Sequence, residues 1–436
     1  MNRDGTLQRT SVRSYEIHGI SSMMRDLEWL SEDVPALEAA IRATQRLDHL
    51  LRADLEVRSG DQLTSRVGDV VLFRVLELGP FPDMETTWGG RVAVVPGCIY
   101  IGVICERNST KFFAASLRET RCSYYKLILQ WVAQSGGIGY CTGCSPALSE
   151  QTGYVRPADV EVIGILYDRS REAYLNTISI SGLESDEPQP RVGIPPTLLV
   201  LGTTTDVGKT TIACRLLHGL SKRFTCAALK ASGTGWYQDS LLHITSGAAW
   251  AMNFSFVGLP TTYSLDHVLY RRALNRLYHY IDDPDRIPFY KRPPADRDRK
   301  WLRPDFVLVE HGGDILGANV PAFLDDDYLI ESVRMIVVCS ESALALIGTL
   351  KELSIRRIST HRHKLYAAMP RINPEGFIDR IAPHIEDGRL QGIIDISKPE
   401  HEPPHGWRCE YANRHNQVLS ANDAVLEMER IVDDER

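Results

Sequence analysis

The stretch 198–211, LLVLGTTTDVGKTT, constrains the fold more than any other part of the chain. Its apolar opening lacks polar alternation, the pattern of a strand buried on both faces in a helix-covered parallel sheet. A glycine-flanked turn follows, and Lys209-Thr210-Thr211 opens the helical run IACRLLHGLSKR. Gly202 and Gly208 allow turns and close approaches that a Cβ would hinder, so successive N–H groups can face inward as an anion nest. The helix starting near Lys209 adds the positive end of its dipole to the same place. Lys209 is set to reach β and γ phosphates, and the Thr210 hydroxyl to ligate Mg2+. The expected nucleotide-binding residues are Gly202, Thr203, Thr205, Asp206, Val207, Gly208, Lys209, Thr210 and Thr211.

Five residues separate Gly202 from Gly208, one more than the common phosphate-loop spacing, while the flanking strand and helix supply the context it needs. GTTTDVGKT resembles the phosphate loop (P-loop) of dethiobiotin synthetase and its neighbours, the cobyrinic acid synthases and the molybdopterin-guanine dinucleotide accessory proteins. LKASGTG at 229–235 is similar to the family's second motif, and FVLVEHGGD at 306–314 to its third. The resemblance covers about the last half of the chain. It implies that Lys209, Lys230 and Ser232 serve catalysis, the last two facing the acceptor and the transferred phosphoryl group, and that Glu310 holds the metal. It also implies ATP and Mg2+ as cofactors and a homodimer. Asp239, ahead of an apolar-periodic run, reads either as a second metal carboxylate, where the relatives place theirs, or as an ordinary helix N-cap. An acidic residue ending FVLV needs a metal or a donor to offset its desolvation, so Glu310 reads as a metal ligand or as a carboxylate paired with an Arg or His. His311, beside it, faces the substrate or is a satisfied structural histidine.

The likeness breaks after KLYAA, where relatives carry an Asn that reads adenine. Here Pro370 precedes Arg371-Ile372-Asn373-Pro374, and proline has nothing to donate to a base. The base is therefore left open, with ATP as the default. A weaker likeness, to the P-loop domain of the D-amino-acid N-acetyltransferase family, rests on Thr234-Gly235-Trp236 and a layout with the P-loop half second.

The 436 residues suit two or three domains, and the formal charge of −7 gives no sign of a nucleic-acid or membrane partner. The polar start shows no secretory signal and no run spans a bilayer, so the expected setting is cytoplasmic. Nine scattered cysteines fit reduced thiols, and the lone CxxC pair, Cys141 and Cys144, lacks two further zinc ligands. HEPPH at 401–405 mimics a zinc motif whose helix its prolines forbid. His361 and His363 read as exposed loop residues.

Before the central stretch, 35–51 carries a helical stripe, GDVVLFRVLELG, RVAVVPGCIYIGVICER and VEVIGILYD read as strands of a small barrel or sandwich, and TRCSYYKLILQWVAQ reads as a buried helix. SGGIGYCTG at 135–143 is either a tight connection or a close approach to a ligand. The proline-rich segment 183–196 marks a linker. The expectation is thus a smaller α+β or β-rich domain of unassigned role over 1–190, then a doubly wound, mostly parallel α/β P-loop domain over 191–436. Within the latter, 263–304 reads as a lid-like insertion whose ten basic and six acidic side chains suit an anionic small substrate, Arg271, Arg272 and Arg276 being its candidate ligands. The functional expectation is an ATP-dependent ligase or phosphoryl transferase that activates a small carboxylate or carbamate for C–N bond formation. An N-acyltransferase acting on an amine and a nucleotide-switched accessory protein are the alternatives.

Overall fold

The computed structural model describes residues 7–24, 55–86, 90–117, 123–124, 126–184, 193–282, 303–358, 362–369, 374–395, 418–419 and 421–435. The helix expected over 35–51, the polar part of the insertion at 283–302, His361, the Pro370–Asn373 tetrad and the HEPPH segment lie outside the described residues.

The second half is built on an eight-stranded sheet ordered Trp250–Asn253, Cys226–Lys230, Phe306–Glu310, Thr197–Gly202, Val333–Cys339, Lys364–Met369, Gly392–Asp395 and Val418–Leu419. Every neighbouring pair runs parallel. Alternation along Thr197–Gly202 decides what covers each face. Leu199 and Leu201 join a core with Tyr270, Leu274 and Leu277 of the helix His267–Asp282 and Leu346 and Leu350 of the helix Ala343–Ile355. Leu198 and Val200 pack on the other side against Ile212 and Leu216 of the helix Lys209–Leu220 and Ala424 and Met428 of the helix Ala421–Glu435. Both faces are covered, which is why these strands read as continuous apolar runs.

The first half is β-rich. Val70–Val75 pairs with Asp159–Asp168, which pairs with Leu127–Ala133, then Gly137–Gly139, then Ile99–Ile104, which returns to Val70–Val75. These pairings close a five-stranded barrel. Leu127–Ala133 is a strand where the sequence suggested a helix: Leu129 and Trp131 go to one core and Val132 to the other, a two-residue alternation that a short apolar run conceals. Three of the four glycines of 135–143 face protein, since a Cβ on Gly136 would strike Ser21, on Gly137 the Cys105 sulfur and on Gly139 the Cys105 carbonyl, while Gly143 borders open space. Cys141 and Cys144 lie on a further strand, their sulfurs 3.5 Å apart at hydrogen-bond distance and not joined as a disulfide.

Two other readings are corrected. His363 is buried, its Nδ1 3.0 Å from the Val333 carbonyl oxygen, because the strand it precedes is packed on Val333–Cys339. Arg272 and Arg276 donate to the Leu183, Glu184 and Ser181 carbonyls, and Arg271 sits 3.8 Å from Asp326. They tie the helix His267–Asp282 to its surroundings and, among the described residues, are not part of the cavity over the strand ends. Among the described residues, no helix is long and apolar enough to cross a membrane.

Candidate functional site

Parallel register brings the strand ends together. Lys230 pairs in register with Glu310, and Val200 with Glu310, so the motif following each of three strands emerges on one edge of the sheet. The turn after Gly202 leads into Gly208 at φ 82°, and the helix begins at Lys209. A side chain on Gly202 would meet the Lys209 Cδ and Nζ at 2.7 and 2.8 Å, so the glycine leaves the space that Lys209 crosses. Asp206 adopts φ 57°, a left-handed conformation that Asp tolerates better than most residues.

Lys209 donates its ammonium protons to the Thr204 carbonyl and, at 3.0 Å, to that of Gly313. Burial, together with the nearby Lys230, draws its pKa down to about 8. Glu310 and Asp206 offset its charge only from a distance, and among the described residues no carboxylate pairs with it directly, so an anion beside it is favoured. Glu310 has no exposed surface and accepts from Thr210 Oγ1 at 2.7 Å and Lys230 Nζ at 2.5 Å, while its second oxygen lies 2.9 Å from His243 Nε2. Burial pushes its carboxyl up, but Lys230 and His243 more than offset this and hold it well below the usual carboxylate range. Lys230 also reaches Asp239 at 3.1 Å. Burial lowers its pKa, and Asp239 and Glu310 together raise it above its ordinary value.

Asp239 is in the first turn of the helix Tyr237–Thr245 and is not its cap; that position belongs to Trp236, which makes no side-chain capping bond. One of the Asp239 carboxylate oxygens, Oδ2, holds the Lys230 ammonium. Ser232 is fully buried and turned from the cavity, its hydroxyl donating to the Gly312 carbonyl and accepting from the Gly312 N–H. His311 lies 3.0 Å from that hydroxyl and edge-on to Phe323, a packed position where burial, then Lys230, lowers its pKa to about 3. Thr203 is likewise turned aside, donating to Ser340, and the Val207 side chain is core.

A cavity of about 550 Å³ opens over these strand ends. One wall holds Thr205, Asp206, Gly208, Lys209, Thr210, Thr211, Lys230, Asp239 and Glu310; the other comes from the barrel half and includes Phe81, Arg107, Phe112 and Gln134. Hydrogen bonds stitch the two. Thr110 lies 2.8 Å from the Thr204 hydroxyl and 2.9 Å from that of Thr205, and Lys111 donates to the Asp206 carbonyl and the Glu341 carboxylate. Thr234 donates to the Glu106 carbonyl, and Tyr263 to that of Asn108. Glu85 takes the place of the missing cap on Tyr237–Thr245, accepting from the Tyr237 N–H at 2.8 Å and the Ser22 hydroxyl at 2.6 Å. Burial pushes the Glu85 carboxyl up to about 6.

His243, Glu85, Tyr263 and Arg107 were not singled out by sequence. His243 had a signal, standing four residues after Asp239 and hence on the same helical face. The other three act across the two halves, and local pattern carries no such information.

The site suits a Mg2+ nucleotide by its donors: a glycine-cleared loop at a helix N-terminus, a lysine with no directly paired carboxylate, and hydroxyl and carboxylate oxygens of the hard kind Mg2+ takes. Among the described residues, no three His, Cys, Asp or Glu side chains converge as a metal cage. A cation here needs oxygens from its ligand as well, as Mg2+ commonly does with phosphates.

No family model and no curated protein matches the chain. Among solved structures it is similar to a putative plasmid partition protein of Borrelia burgdorferi B31 bound to AMPPNP, at 10% identity and TM-score 0.29 over 54% of this chain and all of that one. The signal recognition particle receptor FtsY of Elizabethkingia anophelis with GDP gives 14% and 0.28, over 49% and 65% of the two chains. A ParA family ATPase of Chlorobium tepidum TLS gives 12% and 0.23, over 43% and 81%. At such scores the site is read from its own geometry.

Proposed function

We propose that this chain is a Mg2+-dependent P-loop enzyme that uses a nucleoside triphosphate, ATP by default, to activate a small carboxylate or carbamate by phosphoryl transfer. The observation that carries this reading is the meeting of Lys209, Lys230 and the Thr210–Glu310 pair at the strand ends, in a cavity with a second wall. Bound Mg2+ nucleotide would supply the phosphoryl group and part of the charge neutralisation. Lys209 offsets phosphate charge from below, as a desolvated ammonium with no carboxylate of its own. Glu310 orients the Thr210 hydroxyl toward the cation position and keeps Lys230 protonated at the cavity head. Lys230 is placed to stabilise charge on the transferring group. The barrel wall restricts water and gives an acceptor something to rest against.

Calorimetric titration of ATP, GTP and CTP with Mg2+, on the native chain and on Lys209→Ala, tests the binding part. One nucleotide is expected to bind and the substitution to abolish it; a folded native chain that binds none overturns the reading. Phosphate release with a panel of small carboxylates then tests the acceptor. A nucleotide-switched accessory protein is the second reading, favoured by the Thr110 contacts to the loop. It predicts slow hydrolysis stimulated by a macromolecular partner and by no small acceptor.

A further inference from the structure

Arg107 is the cation that the barrel-half wall brings to the cavity among the described residues. Its Cζ lies 5.0, 5.6 and 5.7 Å from the ring centroids of Phe113, Phe112 and Phe81, within cation–π range of three rings. One N–H bond, 2.9 Å to the Val132 carbonyl oxygen, anchors the group. Among the described residues no carboxylate forms an ion pair with it, whereas Lys230 on the opposite wall has two. A guanidinium carries five donors, so one with a single protein bond keeps donors for a ligand. Burial draws its pKa below the ordinary value, with Asp206 across the cavity opposing that; the group stays charged.

Its position selects among anions. The neighbouring Asn108 carbonyl accepts from the Tyr263 hydroxyl, a side chain that would sit 2.9 Å from a Cβ on Gly313, and the Gly313 carbonyl in turn accepts from Lys209. Arg107 lines the same cavity as Asp206 and Lys209, close enough to Asp206 and Tyr263 for both to act on its charge. A nucleotide seated on the N–H groups at the start of the helix Lys209–Leu220 would have its inner phosphates wrapped by the loop. The outermost group would be the one left open to the barrel wall.

We propose that Arg107 binds the oxygens of the terminal phosphoryl group, so that the barrel half distinguishes a nucleoside triphosphate from a diphosphate. This rests on the nucleotide reading above. It assigns the first half a direct part in the phosphoryl site, supplied by a guanidinium whose planar fork matches a phosphoryl group.

The test is calorimetry of Mg2+-AMPPNP and Mg2+-ADP on the native chain, Arg107→Ala and Arg107→Lys, with melting curves to verify folding. Arg107→Ala is expected to weaken AMPPNP by about tenfold or more and to leave ADP within about twofold, since one charge-assisted contact is lost. Arg107→Lys keeps the charge without the fork and should fall between; it carries the comparison if the alanine variant does not fold. Equal loss for both nucleotides makes Arg107 a structural residue, and no loss for either moves it off the phosphoryl group, to the acceptor or to none. Either result overturns the proposal. If the native chain binds neither nucleotide, the nucleotide reading fails and this one with it, a result distinct from the other two.

Discussion

Lys230→Met tests what holds the cavity head together. Methionine keeps most of the stem's volume and removes a charge 2.5 Å from Glu310 and 3.1 Å from Asp239. Asp239, at 15% side-chain exposure, turns to water at small cost, but Glu310 is fully buried and left with Thr210 and His243 alone. Breaking a buried pair by removing one partner costs roughly 3–5 kcal/mol, so urea unfolding at neutral pH should show a loss of that size. The pH dependence has a definite sign. The carboxyl of Glu310 is held below its ordinary value of 4.5, so the stability it contributes is complete above that value and lost as pH falls through the folded pKa. The gap between the native chain and the variant should therefore narrow in acid. Adding Glu310→Gln to the variant removes the stranded charge and should recover part of the loss. A loss under about 1 kcal/mol, or a double variant no better than the single one, refutes the reasoning.

Glu85→Gln should flatten the pH dependence of stability between about pH 4.5 and 6. The native carboxyl is raised from 4.5 to about 6, so its contribution falls as pH rises through that window, by at most about 2 kcal/mol, and the amide oxygen can still accept from Tyr237 and Ser22. Urea midpoints across that range check it, and parallel native and variant profiles would contradict it. Gly202→Ala should cost about 1–3 kcal/mol of stability, because the added methyl meets the held Lys209 side chain and the core Val207, and lower nucleotide affinity by at least about tenfold by displacing that ammonium. Unchanged affinity in calorimetry would show that Lys209 is not needed where it stands.

The parallel sheet was legible because Leu198, Val200, Val307 and Val309 are buried on both faces, and continuous apolar strands flanked by helical periods have few other solutions. The loop was legible because a glycine-cleared turn and its lysine are adjacent in the chain. Ser232 was misread, since a motif fixes where the backbone goes and not which side of it a hydroxyl turns; here the Gly312 backbone claims it. Leu127–Ala133 was misread because both helix and strand bury such a run, and only its barrel neighbours decide. Arg107 and Glu85 escaped notice for a different reason. Each is an ordinary charged residue in its own neighbourhood and becomes unusual only when the other half arrives.

The bonds from Thr110 to Thr204 and Thr205 give the pocket a clasp. A ligand that parts these contacts on reaching the loop meets a barrier set by Thr110, while Lys209, Lys230 and Arg107 set how well it is seated. Loosening the clasp, as in Thr110→Ala, should speed exchange in both directions and leave the ratio of the two rates nearly fixed. A chain of this design can adjust residence time and affinity through separate sets of residues.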